Sequence, residues 1–318
     1  MSGLIGLGLP ALAVVFTALG WAVLRSPVAS EPSPVVVRSL LAAAKRRALL
    51  AVAAVAASTV ALVFAAASLP SLVGLPVALV PALGGAVGLL SYAATPPRAA
   101  TLEPGVHREA SLVRRTPLSF LPPRGALAVA ALVALQMACL GFTGATSSVD
   151  EQGRYRLIGF QVAERSSAAG PYAGWFYAVP LLVVTGVLVG ATFLALRRVS
   201  TTPALPQREF ADADAGWRRS TSRIILAIST AALLVQFAGV ATFSGGAMLS
   251  AAFDGVAVGW KIAGIGLLAG GLVMLVGAVV VMTLAVLWAC TLPVRSWRPA
   301  RTPPVSADEG GRAGPVRL

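Results

Sequence analysis

The chain has 318 residues, of which 57% are hydrophobic and only 12% charged, and its formal net charge is +13. A soluble domain carries about 25% charged residues, so this composition excludes a water-soluble globule. Several apolar runs exceed the ~18 residues that cross a bilayer core, which makes the chain a polytopic membrane protein.

Seven spans are predicted, at about 5–24, 48–68, 72–94, 125–145, 175–196, 223–245 and 262–290. Backbone groups find no water inside a bilayer, so each span must satisfy itself as a helix. The runs do not alternate in polarity as barrel strands would. The expected fold class is therefore an all-α membrane protein, a bundle of about seven transmembrane helices over residues 1–292. Residues 293–318, rich in proline, glycine and arginine, are expected to form a disordered basic tail.

The first run could be mistaken for a signal peptide. No basic residue precedes it, and it is about 20 residues long. Cleavage near Val28, Ala29 and Ser30 would also leave Lys45, Arg46 and Arg47 outside the cell. It is read as an uncleaved first helix. A proline-rich stretch, "SPVASEPSP", and a basic helical lead-in then precede the second span.

The connecting segments sort by charge. Those after the first, third and fifth spans, together with the tail, hold 21 of the 25 basic residues. The other side holds only Arg154, Arg156, Arg165 and Lys261, balanced by Asp150, Glu151, Glu164 and Asp254. Cytoplasmic loops collect Lys and Arg, so one orientation fits every loop, with the N-terminus outside and the C-terminus in the cytoplasm. The charge is thus an expression of topology, and no nucleic-acid partner is expected; the partner that follows is the lipid bilayer. The loop at 95–124 is broken by prolines. The segment before the sixth span pairs Asp214 with Arg218 at helical spacing. Residues 146–174 form the one sizeable outer loop, where "GRYRLIGFQVA" after the turn "DEQG" suggests a short hairpin resting on the helix ends.

Candidate chemistry is sparse. The single histidine, His107, lies in a loop beside Arg108 and Glu109, and no nucleotide-binding, hydrolase or zinc motif occurs. Glu209, Asp212 and Asp214 could suggest a metal, but acidic residues near a helix start are better read as answering its dipole. No catalytic residue, cofactor or metal is assigned, and an enzyme is not expected. No charge falls inside any span, which argues against proton- or ion-coupled transport. Gln136 and Gln236 lie about 11 and 13 residues from one end of their spans, near mid-depth, where an unpaired amide is costly. Both are expected to face the bundle interior, as an interhelical contact or as a polar point in a solute path.

Small-residue ridges at Gly84 and Gly88, Gly186 and Gly190, and Gly266 and Gly270 suggest close helix packing. Tyr172, Trp175 and Tyr177, at the mouth of the fifth span, read as an interfacial aromatic belt. Cys139 and Cys290 fall at opposite depths, which argues against a disulfide.

Alanine, glycine, proline and arginine excess, with two lysines and no asparagine, is the codon signature of a GC-rich bacterial genome. The segments "REASLVRRTPLSFLPPRG", "PYAGWFYAVPLL", "ALRRVSTTPALP" and "DADAGWRRSTSRIILAISTAALL" resemble uncharacterised integral membrane proteins of GC-rich actinobacteria over roughly residues 95–250. The resemblance implies a bacterial plasma membrane and carries over no functional residue. Three classes of function remain at this point. A non-catalytic subunit or accessory protein, acting through a protein partner at its basic cytoplasmic loops, comes first. A small-solute permease or export component with a polar point near Gln136 and Gln236 comes second, and a membrane enzyme last.

Overall fold

The computed structural model describes residues 35–95, 116, 120–203, 211–253 and 255–291. The expected first span, the tail, His107, Glu209 and Asp254 lie outside the described residues.

Six helices are long and apolar enough to cross a membrane. They are α1 (Val35–Ala67), α2 (Leu75–Ala94), α3 (Pro123–Ala145), α4 (Trp175–Thr201), α5 (Ala211–Ala251) and α6 (Val258–Cys290). Most are longer than the apolar spans read from the sequence. α5 has 41 residues, about 60 Å of helix against a ~30 Å hydrocarbon core. The surplus is its polar first turns, which hydropathy does not register but which remain hydrogen-bonded as helix.

Contacts at the helix ends show the chain running up and down. The end of α3 and the start of α4 meet where the Thr143 hydroxyl donates to the Ala173 carbonyl at 2.7 Å. The Ala173 N–H donates in turn to Ser244 Oγ, near the end of α5, at 3.3 Å. The Tyr177 hydroxyl, in the first turn of α4, donates to the Val73 carbonyl just before α2 at 2.7 Å. α5 is the post around which the others stand: 78% of its most apolar stretch is buried, against 11% for α3 and 22% for α6. Leu89 from α2, Leu188 from α4, Ile225 and Leu233 from α5 and Val286 from α6 share one apolar cluster with it.

A three-stranded antiparallel sheet caps this end in the order β1 (Ser148–Val149), β2 (Tyr155–Val162), β3 (Arg165–Ala169). Ile158 pairs with Ala169 and Phe160 with Ser167. The turn between β1 and β2 needs Gly153, whose φ of +75° strains a side chain. A sheet this small cannot bury a core alone. It is seated on the helix ends through Ile158 and Tyr172, which pack on Ala247, Met248 and Ala251 of α5. Phe160 meets the Trp260 ring edge-on at 5.4 Å.

Two sequence expectations are corrected here. Tyr172 is fully buried and Tyr177 is 6% exposed, so neither stands in an aromatic belt; only Trp175, 42% exposed, faces outward. The sheet covers Tyr172, and both phenols find partners: Tyr172 bonds Thr146 Oγ1 at 2.6 Å and Tyr177 bonds Val73. The second concerns the glycines. A Cβ added at Gly186, Gly190, Gly266 or Gly270 would meet nothing within 4 Å. Spacing marks a smooth face but not its direction, and α4 turns its hydroxyls, not these glycines, toward α5. Gly84 and Gly88 do face α1, where a Cβ would come within 2.5 Å of Thr59 Oγ1 and 2.2 Å of Val55 Cγ2. In α6 the close approach is made by Gly264 and Gly271 against α5.

Candidate functional site

At the centre of the bundle, three helices meet on one hydroxyl. Gln136 of α3 donates from Nε2 to Thr185 Oγ1 of α4 at 3.1 Å. Gln236 of α5 donates from Nε2 to the same oxygen at 3.2 Å, and to the Leu181 carbonyl at 3.3 Å. The Thr185 hydroxyl donates in turn to the Leu181 carbonyl at 2.7 Å. A threonine oxygen has two lone pairs and one proton, so Thr185 is saturated. The two glutamines are almost fully buried, at 0% and 2% exposure, and each keeps an Oε1 without a hydrogen-bond partner. The structure thus brings Gln136 and Gln236 to one point through Thr185, which sequence inspection did not single out. A threonine in a helix can always bond its own turn, so nothing in its sequence setting marks it.

This point is one rung of a ladder. Along the antiparallel α4 and α5, Ala173 faces Ser244, Thr185 faces Gln236, Thr192 bonds Ser229 at 2.7 Å, and Val199 accepts from Arg218. The α5 members recur at seven-, eight- and eleven-residue steps, which keeps them on one helix face. The lowest rung is ionic. Arg218 is fully buried and pairs with Asp214 at 3.0 Å, while its Nη2 donates to the Thr202 carbonyl at 2.8 Å and that of Pro203 at 3.2 Å. Trp217 Nε1 donates to Asp214 at 3.1 Å. A cation satisfying the last carbonyls of α4 also answers the negative end of that helix dipole. The Asp214–Arg218 spacing was visible in the sequence; the carbonyls it caps were not.

At the sheet end, Asp150 organises the turn. Its carboxylate accepts from Arg154 Nε at 3.0 Å, from Arg156 Nε, and from the N–H groups of Gln152 and Arg154 at 2.9 and 2.8 Å. Burial alone would push this carboxyl up, but the bonds from Arg156 and Arg154 hold it well below the usual carboxylate range. Asp150 raises Arg156 in return. Beside it, Ser148, Gln161, Ser166 and Ser167 line a groove of about 320 Å³ on the sheet.

None of this assembles a nucleophile with a base. Among the described residues no cluster of three His, Cys, Asp or Glu side chains could hold a metal, and both cysteines are free. Fold and polar geometry together define a helical membrane protein whose buried polar groups tie helices to one another. No family model, curated protein or solved structure matches the chain.

Proposed function

We propose that the chain is a non-catalytic subunit or accessory protein of a bacterial plasma membrane, working through a protein partner. In this reading seven spans place the N-terminus and the sheet outside and the basic segments in the cytoplasm. The charge distribution supports that orientation, and the likeness of residues 95–250 to actinobacterial membrane proteins supports the source. One observation carries the functional reading: the mid-depth polar side chains bond helix to helix through Thr185. Crosslinking in native membranes followed by purification tests it. A membrane partner recovered in fixed ratio is the expected result; a chain that purifies alone would overturn it. Orientation is tested in a chain with Cys139 and Cys290 replaced by alanine. Ser148→Cys should label from outside and Ser306→Cys only from inside.

The two unbonded Oε1 atoms of Gln136 and Gln236 favour a second reading, a small-solute permease with its polar point there. Proteoliposome uptake that falls with Thr185→Val at an unchanged amount of folded protein would select this reading over the first.

A further inference from the structure

The post of the bundle, α5, is left open along one strip. α4 takes the face of Ser229, Gln236 and Ser244. α6 takes that of Thr242 and Gly245, which lie against Gly271 and Gly264. α2 reaches Ala232, 2.9 Å from a Cβ placed on Gly85. Between the α6 and α2 flanks run Val235, Gly239, Phe243, Gly246 and Ser250, spaced three or four residues apart and so on one side of the helix. Away from the sheet, Trp217, Ile224, Ile228 and Ala232 continue the same side. They are buried in one cluster with Ala48, Val52 and Val55 of α1.

Toward the sheet the strip loses that cover. Val235 and Phe243 are 36% and 37% exposed, and Ser250 is exposed. A Cβ added at Gly239 or Gly246 would meet nothing within 4 Å. The cause is the course of α1. Beyond Ala56 it buries only Ala66, and Phe64 is left 72% exposed. There Thr59 stays against Gly84 of α2, so α1 follows α2 and parts from α5.

One apolar run of span length lies outside the six described helices, residues 5–24. It joins α1 through residues 25–34, a tether that reaches about 33 Å at full extension. α1 ends beside Val73 at the sheet end and starts at the other, so the run must return to that other end. A tether this short holds the run at millimolar effective concentration, which a second copy of the chain lacks. The register fits as well. As a helix the run puts Gly6 and Ala13 on one face, seven residues apart, and Gly239 and Gly246 have the same separation. Antiparallel to α5, Gly6 stands level with Gly246 when Ala13 stands level with Gly239. Small residues on both helices allow the close backbone contact that displaces lipid. We propose that residues 5–24 pack antiparallel to α5 on the strip from Val235 to Ser250, as the seventh helix of the bundle. The inference rests on the reading above that this run crosses the membrane.

Disulfide crosslinking in native membranes tests it, in a full chain with Cys139 and Cys290 replaced by alanine and a protease site inserted between Val28 and Ala29. The pairs Gly6→Cys with Gly246→Cys and Ala13→Cys with Gly239→Cys should bond on oxidation, so that the N-terminal fragment stays attached after cleavage. Gly8→Cys with Gly246→Cys and Ala11→Cys with Gly239→Cys, turned about 160° away on the run, should lose the fragment. Gly246→Leu meets open space in the described fold; by displacing the run it should abolish the bond between positions 13 and 239. Labelling of Ser2→Cys separates the two ways to fail. Reaction only from the cytoplasm would refute the spanning reading and the proposal with it. Reaction from outside without a bond to positions 239 or 246 would leave the span standing and overturn the proposal alone. Bonds at the mass of two chains would overturn it too, giving the strip to a second copy.

Discussion

Gln136 and Gln236, 100 residues apart in the chain, donate to the same oxygen atom, Thr185 Oγ1, at 3.1 and 3.2 Å. Their coupling therefore runs through a third residue. Thr185→Val keeps the shape and removes the hydroxyl, leaving both amides short of an acceptor. It should destabilise the protein by about 1–3 kcal/mol, as expected for orphaned buried polar groups. In the Thr185→Val background the double-mutant coupling of Gln136→Leu with Gln236→Leu should fall to zero. Reversible unfolding in mixed micelles measures both, and coupling that survives Thr185→Val would show a direct contact between the amides.

Arg218→Met should be more damaging than any single glutamine change. It leaves the Asp214 carboxylate buried without its cation and uncaps the carbonyls of Thr202 and Pro203. Breaking a buried pair by removing one partner costs about 3–5 kcal/mol. Arg218→Lys should recover little of this, because an ammonium cannot reach a carboxylate and several carbonyls as the planar fork does. Asp214→Asn combined with Arg218→Met should be milder than Arg218→Met alone. Thermal unfolding of the four proteins decides.

The glycines divide by direction. Gly88→Ala would place a methyl 2.2 Å from Val55 Cγ2 and 2.7 Å from the Ala51 carbonyl oxygen. A backbone atom cannot step aside cheaply, so a loss of about 1–3 kcal/mol is expected. Gly186→Ala and Gly266→Ala meet open space and should change stability by less than about 0.5 kcal/mol. A large loss at Gly186 in the membrane, with none in dispersed detergent, would reveal a neighbouring molecule on that face.

The sheet should resist acid. The folded carboxyl of Asp150 titrates below its unfolded value of about 3.9, so its contribution is complete above that value. It is lost only as pH falls through the lower folded value. Near-ultraviolet dichroism of the Trp260 and Phe160 contact should be flat from neutral pH to about 5 and should decline only below about 4. Asp150→Asn should remove this acid transition and lower the unfolding temperature at neutral pH. An unchanged acid limb in that variant would place its origin elsewhere.

Much of the architecture is written in hydropathy. The six described helices each contain an apolar run that the sequence displays, and the mid-depth position of both glutamines follows from counting residues. The misreadings share one cause, which is that spacing gives a face but not its neighbour. Tyr172 and Tyr177 sit where belt aromatics sit, but the sheet folds over one and Val73 binds the other. Gly186 follows Thr185 directly; once the hydroxyl turns to α5, the glycine is carried about 100° away. The adjacent arginines Arg46 and Arg47 behave in the same way. Charge counting treats both alike, while packing sends Arg46 out and Arg47 in.

The central position of α5 bears on how the protein is made. Synthesis delivers helices in chain order, and α1 to α4 all precede the post on which they are packed. While α5 is still within the ribosome, Gln136 can reach Thr185, but the carbonyls of Val199 and Thr202 have no arginine and Leu188 has no Ile225 or Leu233 to pack on. The early helices thus form a half-built array whose polar groups face hydrocarbon. The α5 members of the ladder, from Arg218 to Ser244, therefore reach their α4 partners only after α4 is made, and α6, which packs on Met248 and Ala251, comes later still. The vulnerable interval in the life of this protein is the passage of one helix through the insertion machinery, before any partner or ligand is involved.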